Sequence, residues 1–327
     1  MKRVGAMFAL AGCALAVLLF ARENVGAIVH LLIVAGPGLL LAAIVHVVPM
    51  TVNAVAWQAL FPGDRRATLR ALTLATWLRE SINGLLPVAR VGGEIVAYRV
   101  IRARGVPTTE AASTLVADMA ISVITQAWVT FLGLAILLRS GVGTSLALGV
   151  AGAAAWLMVA GLVFVHAQRA GVIGFVTRLV NRAFAGRFEG AVTGSVQLEE
   201  ALRTIYARRR DVAACALWQC VGWIVGSAEI WIALHFLGYE RGLLDAVMIE
   251  ALIQAISSAA FVVPGALGVQ EGGFIVLGAA VGLDGGAALA LATARRLRDV
   301  VVFFPGLVAW HWAESRVALR ESASESR

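Results

Sequence analysis

The stretch "PVARVGGE", residues 87–94, decides the fold, because it interrupts what would otherwise be a membrane span. A proline, an arginine, two glycines and a glutamate stand there between apolar runs. Inside hydrocarbon every backbone N–H and C=O must be satisfied within the protein. Irregular backbone therefore survives at membrane depth only where it is buried in protein or lines a water-filled cavity. The break implies that something polar is held within the membrane.

The setting is apolar from end to end. The chain has 327 residues, 60% of them hydrophobic and 14% charged, with mean hydropathy +0.85. A soluble domain does not need that balance. Runs of about 20 apolar residues recur, the length that crosses a hydrocarbon core of roughly 30 Å. They are continuous and rich in Ala, Leu and Gly, unlike the short alternating strands of an outer-membrane barrel. Six full spans are predicted at 4–21, 25–48, 110–138, 143–166, 211–237 and 286–313, the second continuing as helix through "TVNAVAWQALF". The apolar run of the basic start "MKRVGAMFALAGCALAVLLFARE" ends in Arg22 and Glu23 without an obvious small-x-small cleavage site, another span follows at once, and the stretch reads as the first span, not a signal peptide.

Lys and Arg set the orientation. Lys2, Arg3, Arg65, Arg66 and Arg70 flank the first two spans, the 167–210 connection holds eight Arg against three Glu, and Arg316, Arg320 and Arg327 close the tail. The remaining short loops hold only Arg22, Arg139 and Arg241. Both termini are expected in the cytoplasm and the chain in the cell inner membrane. That count requires two broken segments, 67–105 and 243–283, to enter and leave on one side each; the expectation is two re-entrant hairpins from opposite faces, with two crossing pairs as the alternative. The net charge of +7 follows from the same loop residues and is no nucleic-acid signal. In the connection, "GFVTRLVNRAF" alternates apolar and basic residues at helical spacing. It suits a helix lying on an anionic leaflet, or an ordinary soluble connector.

The two broken segments align without gaps. "SINGLLPVARVGGE" (81–94) lies over "SAAFVVPGALGVQE" (258–271), with Ser81 on Ser258, Pro87 on Pro264 and Glu94 on Glu271. In the same register Gly105 meets Gly282, Ala111 meets Ala288, and Asp118 meets Arg295. The expected fold is an all-α integral membrane protein of about six transmembrane helices plus two re-entrant helical hairpins, arranged as an inverted repeat. Its parts are 1–138, 139–314 and a polar cytoplasmic tail at 315–327. Secondary transporters carry inverted repeats with broken helices around a midplane site.

Ionisable residues sit deep in these spans. Glu94 and Glu271 follow the breaks, Arg90 precedes Glu94 by one turn, Asp118 lies in the third span, and Arg295, Arg296, Arg298 and Asp299 lie in the last. Such groups cost a few kcal/mol each in lipid and pair or line a cavity. Two readings stand side by side. The charges pin the hairpins, Glu94 with Arg295 or Arg298 and Glu271 with Arg90, or they contact a substrate. The breaks themselves are assigned to Pro87, Gly92 and Gly93, and to Pro264, Gly265 and Gly268. Gly268-x-x-x-Gly272, Gly278-x-x-x-Gly282 and Gly222-x-x-x-Gly226 suit close helix packing. Cys13, Cys215 and Cys220 lie in apolar segments without metal-ligand spacing, and the five His are read as interfacial or packing residues.

"NGLLPVARVGGEIVAYRV" (83–100), "EAASTLVADM" (110–119), "VVPGALGVQEGGF" (262–274) and "RRLRDVVVFFPGL" (295–307) together resemble the transmembrane region of lysylphosphatidylglycerol synthases. That flippase-like module also occurs in stand-alone proteins, among which the chain is most similar to the hopanoid-biosynthesis-associated branch. The resemblance implies binding and translocation of a lipid headgroup. It carries motif roles onto Pro87, Arg90, Gly92, Gly93, Glu94, Arg99, Asp118, Pro264, Gly268, Glu271 and Arg298. Two features depart from the family. No soluble acyltransferase domain is expected after "ESASESR", and Met119 follows Asp118 where a basic residue is common.

The leading expectation is a lipid transporter, not an enzyme. Its substrate-binding residues are taken as Arg90, Glu94, Arg99, Asp118, Glu271, Arg295 and Arg298. No cofactor or metal is expected, and no nucleotide-binding G-x-x-x-x-G-K-[ST] is present. The alternatives are a non-catalytic membrane partner of a lipid-modifying enzyme and an intramembrane lipid-metabolising enzyme with an acid–base pair from Glu94, Glu271 or Asp118. Expected partners are a membrane lipid, with a lipid-modifying enzyme or a second copy of the chain as further candidates, and no nucleic acid.

Overall fold

In the computed structural model, the described residues are 14–325 except 16, 20, 24, 64–66, 87–91, 140–147, 149–151, 153, 154, 156, 157, 160, 164, 169–188, 261 and 262. At 189–193, 264 and 313–325 the description is of backbone only. Spans 4–21 and 143–166, the basic stretch 174–184, and Pro87 and Arg90 thus lie wholly or largely outside the described residues.

The second span is a near-continuous rod of three helices, α1 (Val25–Val34), α2 (Gly36–Val45) and α3 (Val47–Gln58). The backbone ladder carries through both junctions: Leu39 N–H donates to Ala35 O at 3.0 Å and His46 N–H to Ala42 O at 3.1 Å. Pro37 stands in the first turn of α2, where its missing N–H costs nothing. The helical continuation past residue 48 is present and ends at Gln58.

The first broken segment forms α4 (Leu69–Leu85) and α5 (Gly92–Arg102). Thr68 caps α4, its hydroxyl accepting from Ala71 N–H at 3.3 Å. Leu86, in extended conformation, ends it. The hairpin is closed by Gly93 N–H donating to Asn83 Oδ1 at 2.9 Å. A Cβ at Gly93 would stand 2.6 Å from that oxygen and against the Arg79 carbonyl, so a glycine is required for the approach. Next comes α6 (Thr108–Arg139), then α7 (Glu189–Ala207) and α8 (Arg209–Phe236).

The second broken segment repeats the plan as α9 (Leu243–Ala259), a single 3-10 turn at Pro264–Ala266, and α10 (Val269–Ala280), followed by α11 (Gly285–Glu325). Gly268 at φ +75°, next to the turn, enters a conformation that a side chain disfavours. Two pairs of these elements begin at positions that the sequence register matches, while Leu69 and Leu243, which open α4 and α9, are 174 residues apart. Gly92 and Val269, which open α5 and α10, and Thr108 and Gly285, which open α6 and α11, are each 177 residues apart. Gly105 and Gly282, at φ +88° and +75°, share that separation and turn the chain at equivalent places.

Packing follows the same correspondence. α4 rests on α11 and α9 rests on α6, while α3 packs on α8. The α4–α11 contact is close: a Cβ on Gly306 would collide with Ser81 and stand 3.3 Å from Trp77. Trp77 Nε1 donates to Val302 O at 2.8 Å, beside the ladder gap that Pro305 makes in α11. Across the α6–α9 contact, Gln126 Nε2 donates to Gln254 O at 3.0 Å and to Ser258 Oγ at 2.7 Å. Ser81 and Ser258, matched by the register, thus both lie against the long helix of the other half.

Two apolar cores result. One, with Trp57, Phe61, Leu72 and Ile101, surrounds the first broken segment; the other, with Leu234, Ile249, Leu252 and Phe274, surrounds the second. Between lipid-facing helices such packing is driven by close contact rather than by expulsion of water. Gly222 and Gly226 face α3 at Asn53 and Pro49, and a Cβ on Gly278 would stand 3.1 Å from Ala288 of α11, as at packing glycines. Gly268 and Gly282 instead serve backbone conformation. Among the described residues, three helical stretches are long and apolar enough to cross a membrane: Gly36–Gln58, Thr108–Arg139 and Arg209–Phe236. Outward-facing Ile44, Leu217, Val300 and Phe304 are more than 40% exposed, a surface fitted to acyl chains.

Candidate functional site

Helical rise of about 1.5 Å per residue places Arg79, Asp118 and Arg298 roughly 15–20 Å from the N-terminal ends of α4, α6 and α11. Charges at that depth are held in clusters.

The first cluster gathers at the α4–α5 break. Arg79 NH1 donates to Asp118 Oδ2 at 3.0 Å and lies 3.7 Å from Glu94 Oε2. Asn83 Nδ2 donates to Glu94 Oε1 at 3.5 Å, a long contact, and Glu94 Oε2 has no hydrogen-bond partner among the described residues. Gln219 Nε2, from α8, donates to Asp118 Oδ1 at 2.8 Å, and its own Oε1 accepts from Thr125 Oγ1 at 3.1 Å. The Arg79 guanidinium also lies over the Trp57 ring, 5.8 Å from its centroid. Two carboxylates share one arginine here.

The second cluster centres on Arg298. It is ion-paired to Glu229 of α8 through NH1 and to Asp299 through NH2 at 2.7 Å, while its Nε has no partner. His46, at the α2–α3 junction, lies 2.5 Å from Glu229 through Nδ1 and 3.6 Å from Glu80 through Nε2. One turn away Arg295 forks onto both oxygens of Glu250, which also accepts from Gln254 Nε2 at 2.9 Å. A fourth pair sits beside the second break. Arg296 Nε donates to Glu271 Oε1 at 3.1 Å, and Glu271 Oε2 accepts from Gly268 N–H at 2.7 Å, capping α10.

A cleft opens among α2, α8 and α11. Leu39, Ala42, Ile230, Ala233, Leu291 and Ala294 form its apolar walls, and Glu229, Arg295 and Arg298 its charged end.

A family model described as the lysylphosphatidylglycerol synthase TM region matches residues 5–306. The chain belongs to this family. No curated protein and no solved structure matches it. As a member of the lysylphosphatidylglycerol synthase TM family it is a multi-pass membrane protein of a kind that acts on lipids.

The family residues named from the sequence fall at separate places in the structure. Glu94 and Asp118 meet at Arg79, Arg295 and Arg298 line the cleft, and Glu271 caps α10. Arg99 lies exposed in the last turn of α5. The expected pairing of Glu94 with Arg295 or Arg298 is replaced by Arg79, because α4 and α5 fold back on each other and present Arg79 first. Glu271 has Arg296 as its partner; Arg90 lies outside the described residues. His46 is no packing histidine, since two carboxylates and an arginine surround its ring.

Sequence reasoning passed over Arg79, Glu80, Glu229, Glu250 and Gln219. Glu229 carried a usable signal, a lone carboxylate inside "CVGWIVGSAEIWIALHF" (220–236), which lipid tolerates only when it is paired.

Proposed function

We propose that the chain is a lipid transporter of flippase type, binding a polar headgroup within the membrane and moving it between leaflets. The observation that carries this reading is the cleft among α2, α8 and α11, apolar along its walls and charged at one end. That combination fits an amphiphile: Arg295 and Arg298 would meet a phosphate, and Glu229 an amine or hydroxyl. Membership in a family named for a synthase of a charged phospholipid supports the same class of ligand.

The reading includes an inverted repeat with two re-entrant hairpins, in the inner membrane, with both termini cytoplasmic. Its supports are the common 177-residue separation of element starts, the exchange-related packing of α4 on α11 and α9 on α6, and the loop arginines. Helices of 17 and 11 residues, and of 17 and 12, are also shorter than the about 20 residues that a crossing needs. The repeat would let one half rock against the other around the charged centre.

The test is leaflet exchange of labelled zwitterionic, anionic, aminoacylated and hopanoid-type lipids in vesicles that contain the purified chain. The informative variant is Glu250→Gln with Arg295→Gln, which removes a buried pair without stranding a charge. The expected result is exchange of one lipid class by the wild type, reduced about tenfold or more in the double variant, as for loss of one charge-assisted contact. Exchange no faster than in protein-free vesicles, for every class and with or without an ion gradient, overturns the reading in favour of a non-catalytic partner.

A further inference from the structure

The contacts around His46 cannot all be made in one protonation state. Nδ1 lies 2.5 Å from Glu229 Oε1 and 2.7 Å from Arg298 NH1. A guanidinium nitrogen only donates, so the arginine contact requires a bare Nδ1 lone pair. A carboxylate only accepts, so the glutamate contact requires a proton between the two atoms. One nitrogen satisfies one of these demands at a time. At the far side of the ring, Nε2 is without a hydrogen-bond partner, with Glu80 3.6 Å away.

The groups facing the ring come from every neighbouring helix: Glu80 from α4, Glu229 from α8, and Arg298, beside Asp299, from α11. The Phe303 ring closes the site edge-on, its centroid 5.4 Å away. Doubly protonated, the imidazole donates to a carboxylate at each end and repels Arg298. Neutral with Nδ1 bare, it accepts from Arg298, gives Glu229 no proton at that nitrogen, and faces Glu80 with an uncharged Nε2–H. Histidine is the side chain that changes charge in the physiological range with the least perturbation.

We infer that His46 is the proton-binding site that couples transport to a proton gradient, its ring handing Arg298 over to the lipid phosphate when it takes up a proton. The inference rests on the transporter reading and names its coupling ion. In the loaded state Glu80 and Glu229 clamp the imidazolium, and Arg298, which lines the cleft and keeps its pairs with Glu229 and Asp299, regains the NH1 donor that Nδ1 had occupied for the headgroup. Loss of the proton to water returns Arg298 to Nδ1 and expels the phosphate. Glu80 belongs to the first broken segment and Glu229 and Arg298 to the second half, so the proton also changes how firmly the two halves are tied together.

Two measurements test it on the full chain. In vesicles, a pH gradient of about one unit supports up to about tenfold leaflet asymmetry of a zwitterionic lipid for each coupled proton. Wild type should build that asymmetry, His46→Gln should abolish it, and Glu80→Gln, which leaves the Arg298–Glu229 pair intact, should weaken it. Equal leaflets in wild type under the gradient, or unchanged asymmetry in both variants, overturns the coupling. Separately, histidine-selective ¹⁵N NMR follows the ring signal that His46→Gln removes. A change from neutral to doubly protonated between about pH 5 and 8 supports the proton site. A ring fixed in one state across that range overturns it, whether or not any lipid moves. Absence of all exchange defeats the transporter reading and the coupling with it, and the NMR titration then decides the proton site alone.

Discussion

Arg79 and Glu80 are consecutive residues of α4 that serve different charge clusters. Arg79 reaches Asp118 at 3.0 Å and Glu94 at 3.7 Å, while Glu80 points to His46 at 3.6 Å. A single turn of one half-helix therefore touches both charged centres. Arg79→Ala strands two carboxylates at once and should cost about 3–5 kcal/mol, the penalty for breaking a buried pair by removing one partner. Adding Asp118→Asn removes the nearer stranded charge and should recover part of the loss. Thermal unfolding of the purified protein in detergent compares the two, and equal stability of Arg79→Ala and wild type would sink the assignment.

The closeness of α4 to α11 gives a second expectation. A side chain on Gly306 collides with Ser81, whereas a Cβ on Gly226 meets Pro49 only at 4.0 Å. Gly306→Val should thus destabilise by about 1–3 kcal/mol through overpacking. Gly226→Ala should be neutral or gain about 0.4–1 kcal/mol from a stiffer unfolded chain. The same unfolding measurement reads both, and the sign of the difference between them is the check.

How much of this was legible in the sequence depends on where each feature is encoded. The breaks are local: Gly and Pro at 87–93 and 264–268 announce them, and the separation that matches Glu94 to Glu271 is also that between the first residues of α5 and α10 and of α6 and α11. The charge partners are not local. Arg79 finds Asp118 only because its long side chain reaches from α4 to α6, and Arg298 finds Glu229 only through the contact of α11 with α8. Helix pairing of that kind is set by small-residue packing such as Gly222 on Asn53, which a periodicity reading sees as a glycine and not as a neighbour. His46 was hidden for the same reason, since an isolated His in an apolar run has no pattern of its own.

Outside the membrane-spanning helices, the turn before α11 should respond to pH. Asp284 Oδ1 accepts from Ala287 N–H at 2.9 Å and Oδ2 from the Tyr239 hydroxyl at 2.8 Å. The Ala287 amide first, then Tyr239, holds the Asp284 carboxyl below the usual carboxylate range. A depressed acid contributes stability above its unfolded value and loses it as pH falls through the folded value. Burial first, then Asp284, pushes the Tyr239 phenol up, so its contribution is present below its unfolded value and is lost as pH rises through the folded one. Asp284→Asn should remove the acid-side loss and bring Tyr239 closer to an ordinary phenol, which ultraviolet titration of the three tyrosines reads directly. An unchanged phenol titration in the variant would break the link between the two residues.

The sharpest consequence of the inverted arrangement is a difference in sidedness. Ala103, just after α5, and Glu240, between α8 and α9, are both exposed at turns. If the first broken segment enters from the cytoplasm and the second from outside, these turns lie on opposite faces of the membrane. Two ordinary crossing pairs would instead move each hairpin tip to the far surface. A membrane-impermeant maleimide applied to intact cells should therefore label Glu240→Cys and spare Ala103→Cys until the membrane is opened, in a background with Cys13, Cys215 and Cys220 replaced by Ser. Cysteines at Leu86 and Gly265, beside the two breaks, complete the argument. Re-entrant tips lie inside the membrane and should react slowly from either side, whereas tips of crossing pairs should react fast from one. Fast labelling of Leu86→Cys from outside would exclude the re-entrant hairpin, and with it the support that the two broken segments lend to a headgroup site at the centre of the fold.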